Sequence, residues 1–227
     1  MRVIQKRGER GSLKWIQNAV NQHSDFLNRQ VREACALDPD ETIEWVSPRE
    51  EDGYAEYRDA AFLERLGIGL AHRPLSGFWP NLGPQWDALG RTGSGAVLLV
   101  EAKANIREVV SPACKASEPS KRLIQKSLRE TQEFLKVDPN IDWSGRLYQY
   151  ANRMAHLYLL RHLNQIPAYL IFVYFVQAAE VNGPGTIAEW EAALSVLKRV
   201  LGIGERHRLS RFVFEVFISV TDLPGKA

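Results

Sequence analysis

The chain has 227 residues, 45% hydrophobic and 25% charged, with 29 Lys and Arg against 27 Asp and Glu for a formal net charge of +2. This is the composition of a globular protein long enough to bury a core without disulfide or metal staples. It excludes wholesale disorder, a collagen-like repeat, a disulfide scaffold and a histone-like polycation, but not a nucleic-acid enzyme with a local basic patch. The longest apolar run, Ile166 to Val176, is shorter than the ~20 residues of a membrane helix, and the N-terminal stretch Met1 to Gly11 is basic and polar, unlike a signal peptide. The two cysteines, Cys35 and Cys114, form no CxxC, so free thiols, a cytoplasmic location and no membrane partner are expected.

In chain order, Leu13, Ile16, Val20, Phe26, Leu27 and Val31 recur at helical spacing and predict a helix from about Ser12 to Ala36, an N-terminal helical extension ended by Asp38-Pro39-Asp40. A short strand follows over Ile43 to Val46, then a second helix from Tyr54 to Leu66 closed by Gly67 and Gly69. Ala71 to Pro84 is rich in Pro, Gly and aromatic residues and reads as a structured loop with room for one strand. Gln85 to Leu89 reads as a strand, Gly90 to Gly95 as a turn, and Ala96 to Ala102 as an apolar strand ending in charge. Ser120 to Lys136 is a polar, basic helix and Leu147 to Leu163 an apolar-rich one. Ala168 to Gln177 carries no charge, as a central strand buried on both faces requires. Trp190, Leu194, Leu197 and Leu201 mark a further helix, and Phe212 to Val220 a last alternating strand. With no repeat and no long linker, residues 1–227 read as one α/β domain with a mixed central β-sheet flanked by α-helices.

Several chemistries lack their minimum parts. There is no GxxxxGK[ST] loop, no GxGxxG and no GxSxG. The five histidines make neither HxH nor HExxH, which argues against zinc. The informative segment is Pro84-Gln85-Trp86-Asp87, a glycine turn, then Val97-Leu98-Leu99-Val100-Glu101-Ala102-Lys103. Side chains alternate along a strand, so Glu101 and Lys103 leave it on the face of Val97 and Leu99. A hairpin pairing Thr92 with Ala96 around Gly93-Ser94-Gly95 sets Asp87 opposite Glu101. Two carboxylates at ~4 Å repel by several kcal/mol at low effective dielectric. A cation offsets such a pair, and oxygen ligands suit Mg²⁺ or Mn²⁺. The alternative is a solvated strand end at which Glu101 and Lys103 face water.

On these residues the chain resembles the PD-(D/E)XK nuclease superfamily, with Asp87 as the motif aspartate and Glu101-Ala102-Lys103 as ExK after an apolar strand. Trp86 stands where the motif proline would, and the nearest proline is Pro84. The resemblance implies a restriction-endonuclease-like core and a divalent-metal-dependent nuclease that hydrolyses phosphodiester bonds in DNA or RNA, DNA favoured. It makes Asp87 and Glu101 ligands of Mg²⁺ (or Mn²⁺) and Lys103 the catalytic lysine. It adds an acidic residue from the preceding helix, Glu56 first and Asp59 second, and is compatible with a homodimer. Two rivals stand beside it: a catalytically dormant nuclease-like fold that binds nucleic acid or protein, and a metal-dependent enzyme acting on a nucleotide in a closed pocket.

Charge patterning bears on the partner. Residues 103–129 hold seven bases and two acids, and Arg122, Lys126 and Arg129 share one helix face, where they would meet a phosphate backbone or simply solvent. Residues 38–59 hold nine acids and two bases, a segment that repels nucleic acid or in part serves a metal. On the Leu147–Leu163 helix, Gln149, Arg153 and His156 fall on one face beside Asn152, which is expected to contact something polar, the site itself or, for Gln149 and Arg153, nucleic acid, or else to be the wet side of an amphipathic helix. Phe78, Trp79 and Trp86 flank the motif and either stack bases or pack a loop onto the core.

Overall fold

Apolar segments assemble in the computed structural model, which describes residues 1–223, around a sheet whose middle is the uncharged run near the end of the chain. In order the elements are β1 (Arg2–Val3), α1 (Gly11–Gln22), α2 (Ser24–Ala34), β2 (Ile43–Ser47), β3 (Glu56–Tyr57), α3 (Ala60–Leu66), β4 (Ala88–Thr92), β5 (Val97–Lys103), α4 (Glu118–Leu135), α5 (Tyr148–Tyr158), β6 (Ala168–Val176), α6 (Ile187–Val200) and β7 (Val213–Ser219). The main sheet runs β2-β4-β5-β6-β7, with antiparallel β2–β4 and β4–β5 pairs and parallel β5–β6 and β6–β7 pairs. β1 and β3 form a separate two-stranded ribbon.

The period-two alternation of β6 divides the core. Leu170, Phe172, Tyr174 and Val176 join the cluster under α3, α4, α5 and α6, while Ile171, Val173 and Phe175 join the one under α1 and α2. Glu101 has the parity of Val97 and Leu99, so it enters the first cluster, toward α5.

Four expected elements differ in extent. The N-terminal helix is two helices, because His23 leaves helical geometry at φ −132°, ψ 36°; both halves pack on the same sheet face, so the apolar period runs through the break. The expected helix Tyr54–Leu66 begins only at Ala60, since Tyr54 and Asp59 take positive φ and Glu56–Tyr57 pair with β1. Glu56 therefore stands on a strand and not on a helix. Strand β4 runs to Thr92, beyond the expected Leu89 end, and Gly90 lies inside it: a Cβ there would stand 3.1 Å from the Trp45 ring, so the glycine makes room for a neighbour rather than a turn. The Ala71–Pro84 loop holds a single 3₁₀ turn, Leu75–Gly77, and no strand.

Other expectations agree with the structure. The register Ala88↔Val100, Leu89↔Leu99, Gly90↔Leu98 and Arg91↔Val97 is the expected one, and Thr92 N donates to Ala96 O at 2.8 Å. α5 continues into a π-helical turn, Leu159–Leu163. Cys35 and Cys114 are free thiols. Among the described residues no helix is long and apolar enough to cross a membrane.

Candidate functional site

At the end of β5 the pleat turns Glu101 and Lys103 to one side. Glu101 is only 1% exposed, and both its oxygens are taken by cations. Lys103 Nζ pairs with Oε1; Arg153 of α5 donates from Nε to Oε2 at 2.7 Å and brings Nη2 within 2.5 Å of it. Burial raises the Glu101 carboxyl, but Arg153 and Lys103 more than offset it and hold it below the usual range. Burial depresses the Lys103 ammonium, and Glu101 and then Asp87 outweigh that and hold it above its ordinary value. Lys103 is thus a fixed ammonium donor.

Asp87 sits where β4 leaves the ladder: its N–H donates to Val100 O at 3.2 Å, and its Oδ2 accepts from Ala102 N–H at 2.7 Å. Burial, Glu101 and Glu56 hold its carboxyl well above the usual range against the pull of Lys103. Glu56 arrives from β3 because Trp86 N donates to Tyr57 O at 3.1 Å, bridging that ribbon to the segment before β4. Its Oε2 accepts from Gln85 Nε2 at 2.5 Å and from Gln5 Nε2 at 3.0 Å. Burial raises the Glu56 carboxyl, with Glu101 adding to the effect and both amide bonds opposing it. Three carboxylates thus face two cations.

These groups border a cleft of about 600 Å³. Glu56, Gln85, Asp87, Lys103, Gln149 and Arg153 are among its lining residues. Glu101 lies beneath Lys103 and Arg153. Ser111 Oγ accepts from Gln149 N–H at 3.0 Å, joining the loop after β5 to the first turn of α5.

Of the residues expected at the site, Asp87, Glu101, Lys103 and Glu56 converge and Gln149 lines the cleft. Arg153 reaches the site itself, one of its expected placements, but not as an exposed nucleic-acid contact: it is 2% exposed and also bonds Gln85 O at 2.7 Å and Asn152 Oδ1 at 2.9 Å, with Trp86 stacked 4.7 Å away, because α5 lies on the sheet face that Glu101 enters. That face of α5 is buried, not wet. Asp59 instead accepts from Gly83 N–H at 2.9 Å and holds the loop. Arg122, Lys126 and Arg129 are exposed on α4, and none lines the cleft. Phe78, Trp79 and Trp86 are buried packing residues around His156. Gln5 and Gln85 were not foreseen as site residues: Gln85 lies inside the motif segment, whereas nothing in the sequence around Gln5 signals its partner.

Among the described residues no group of three or more His, Cys, Asp or Glu side chains is arranged to hold a metal ion. Asp87 and Glu56 bring carboxylate oxygens to the cleft, donors of the kind a hard divalent cation takes, while both Glu101 oxygens are held by Lys103 and Arg153. Compared with known proteins, the chain matches no family model, no curated protein and no solved structure.

Proposed function

We propose that the protein is a divalent-metal-dependent nuclease with a restriction-endonuclease-like core, hydrolysing phosphodiester bonds, DNA ahead of RNA. The observation that carries this reading is the gathering of Asp87, Glu56 and Lys103 at one cleft over the buried Glu101, with a carboxylate in excess. Asp87 and Glu101 would hold Mg²⁺ or Mn²⁺, which supplies Lewis-acid stabilisation of phosphate charge. Lys103, kept protonated by Glu101 and Asp87, donates to a phosphate oxygen or to the attacking water and does not act as a base. Glu56, its carboxyl raised by burial, accepts the proton that the water loses. Arg153 fixes Glu101 and through it Lys103. The exposed bases Arg122, Lys126 and Arg129 of α4 supply backbone contacts away from the cleft.

The test is cleavage of single- and double-stranded DNA and of RNA in Mg²⁺ or Mn²⁺ against EDTA. Metal-dependent cleavage that falls ~10²-fold or more in Lys103→Ala supports the reading. Absence of cleavage on every substrate with either metal rejects it.

A second reading, the dormant nuclease-like fold, is favoured by one observation: both Glu101 oxygens are already neutralised by Lys103 and Arg153. On that reading nucleic acid binds and Mg²⁺ does not, which a metal titration followed by calorimetry separates.

A further inference from the structure

A second, smaller cavity of about 220 Å³ lies between the segment preceding α1 and the polar side of that helix. Its frame is built from fixed amides. Gln17, 3% exposed, accepts from Gly8 N–H at 2.7 Å and donates to Lys6 O at 3.0 Å. A Cβ on Gly8 would stand 2.5 Å from Lys14 N, so only glycine lets this segment lie so close to the helix. Asn21 donates to Pro48 O at 2.8 Å and accepts from Glu50 N–H at 2.9 Å, anchoring the opposite wall.

Among the described residues, one polar atom of this cavity lacks a hydrogen-bond partner, and two cations beside it lack a carboxylate within ion-pair distance, although the Lys14 ammonium stands 4.3 Å from the centre of the Trp15 ring. Asn18 Nδ2 donates to Gln22 Oε1 at 3.1 Å, but Asn18 Oδ1 is buried with no hydrogen-bond partner. Buried polar atoms are normally satisfied, so this one calls for a donor. Arg7 and Lys14 both line the cavity, and among the described residues neither pairs with a carboxylate. Tyr54 adds an aromatic wall; Glu50, whose carboxylate acts on the Tyr54 hydroxyl, is not among the residues lining the cavity.

We infer that this pocket binds one phosphorylated nucleoside, with the phosphate against Arg7 and Lys14, a base or sugar N–H or O–H donated to Asn18 Oδ1, and the base beside Tyr54. Gln5, which bonds the cleft residue Glu56, and Glu56 itself are each two residues from a pocket residue, Arg7 and Tyr54, so the same two chain segments border both places. The phosphate monoester is therefore that of a free nucleotide or of a strand end reaching the cleft; the second source rests on the nuclease reading, whereas the pocket itself does not.

The test is calorimetric titration of the full chain in EDTA, which suppresses cleavage, with a 5′-nucleoside monophosphate and with a short oligonucleotide carrying or lacking a 5′-phosphate. Saturable binding is expected to weaken at least about tenfold in the Arg7→Ala/Lys14→Ala double variant and severalfold in Asn18→Ala, and to be unchanged in Arg199→Ala, an exposed change on α6. Should the double variant melt early, Asn18→Ala carries the comparison. Binding of the mononucleotide alone identifies a free nucleotide; additional, phosphate-dependent binding of the oligonucleotide identifies a strand end. No saturable binding of the mononucleotide, or mononucleotide binding indifferent to the pocket variants, overturns the inference. None of these outcomes depends on cleavage, so failure of the nuclease reading leaves the test standing.

Discussion

Arg153 Nε stands 2.7 Å from Glu101 Oε2, a charge pair sealed between α5 and the end of β5. Removing one partner of a buried pair leaves the other charge uncompensated, which costs about 3–5 kcal/mol. Arg153→Met is therefore expected to lower unfolding free energy by that order, measured by denaturant titration, and Glu101→Gln in the same background to restore part of it. A nucleic-acid contact would instead weaken binding with little change in stability, and that outcome would return Arg153 to the interface.

Asp87 behaves oppositely. Its carboxyl is held above the usual range, so the folded state binds the proton more tightly than the unfolded chain does. Stability from this group is full below the ordinary carboxylate pKa and is lost as pH rises through the raised value. Asp87→Asn keeps an oxygen to accept from Ala102 N–H and removes the charge. At pH 7 the variant is expected to melt at or above the wild-type temperature, with the difference vanishing in acid, while Mg²⁺ raises the melting temperature of the wild type only. A lower melting temperature at pH 7 without metal would make Asp87 a structural residue.

Gln5 reaches Glu56 from a segment about 50 positions upstream, its amide 3.0 Å from Oε2. That bond favours the ionised carboxylate, so Gln5→Leu raises the Glu56 pKa further. If Glu56 must be ionised to accept a proton, the acidic limb of the pH–rate profile moves to higher pH in Gln5→Leu, and the plateau rate is kept. An unmoved limb removes Glu56 from the proton transfer.

His156 is enclosed by Phe62, Phe78, Trp79 and Trp86, and burial pushes its pKa down to about 3. The unfolded chain takes a proton near pH 6.5 that the folded one refuses. Stability is therefore expected to fall as pH drops from about 6.5 toward 3, at up to ~1.4 kcal/mol per pH unit from this residue. His156→Gln removes the titration, and its acid-unfolding midpoint should lie below that of the wild type. Identical midpoints would mean that other groups drive acid unfolding.

Some of this was legible in residues alone because the signals are local. The uncharged run of β6 and the apolar run of β5 declare buried strands, and the pleat alone puts Glu101 and Lys103 on one side. The hairpin register follows from where the glycines permit the turn, and it carried Asp87 to the end of β5. What the pattern could not carry is the identity of partners. The face of β5 that Glu101 enters was readable, but that α5 crosses this face, and with which residue, is set by helix packing, so the polar face of α5 did not name Glu101 as the partner of Arg153. The break at His23 was invisible because both helices bury their apolar stripes on the same sheet. Glu56 read as part of a helix, Tyr54–Leu66; its pairing with β1, the strand just ahead of Gln5, is made across more than half a hundred residues. Chain sequence determined which side chains are buried and which carry charge; only tertiary packing decided which charges meet, because a buried carboxylate is stabilised by whatever cation the fold brings within hydrogen-bond reach.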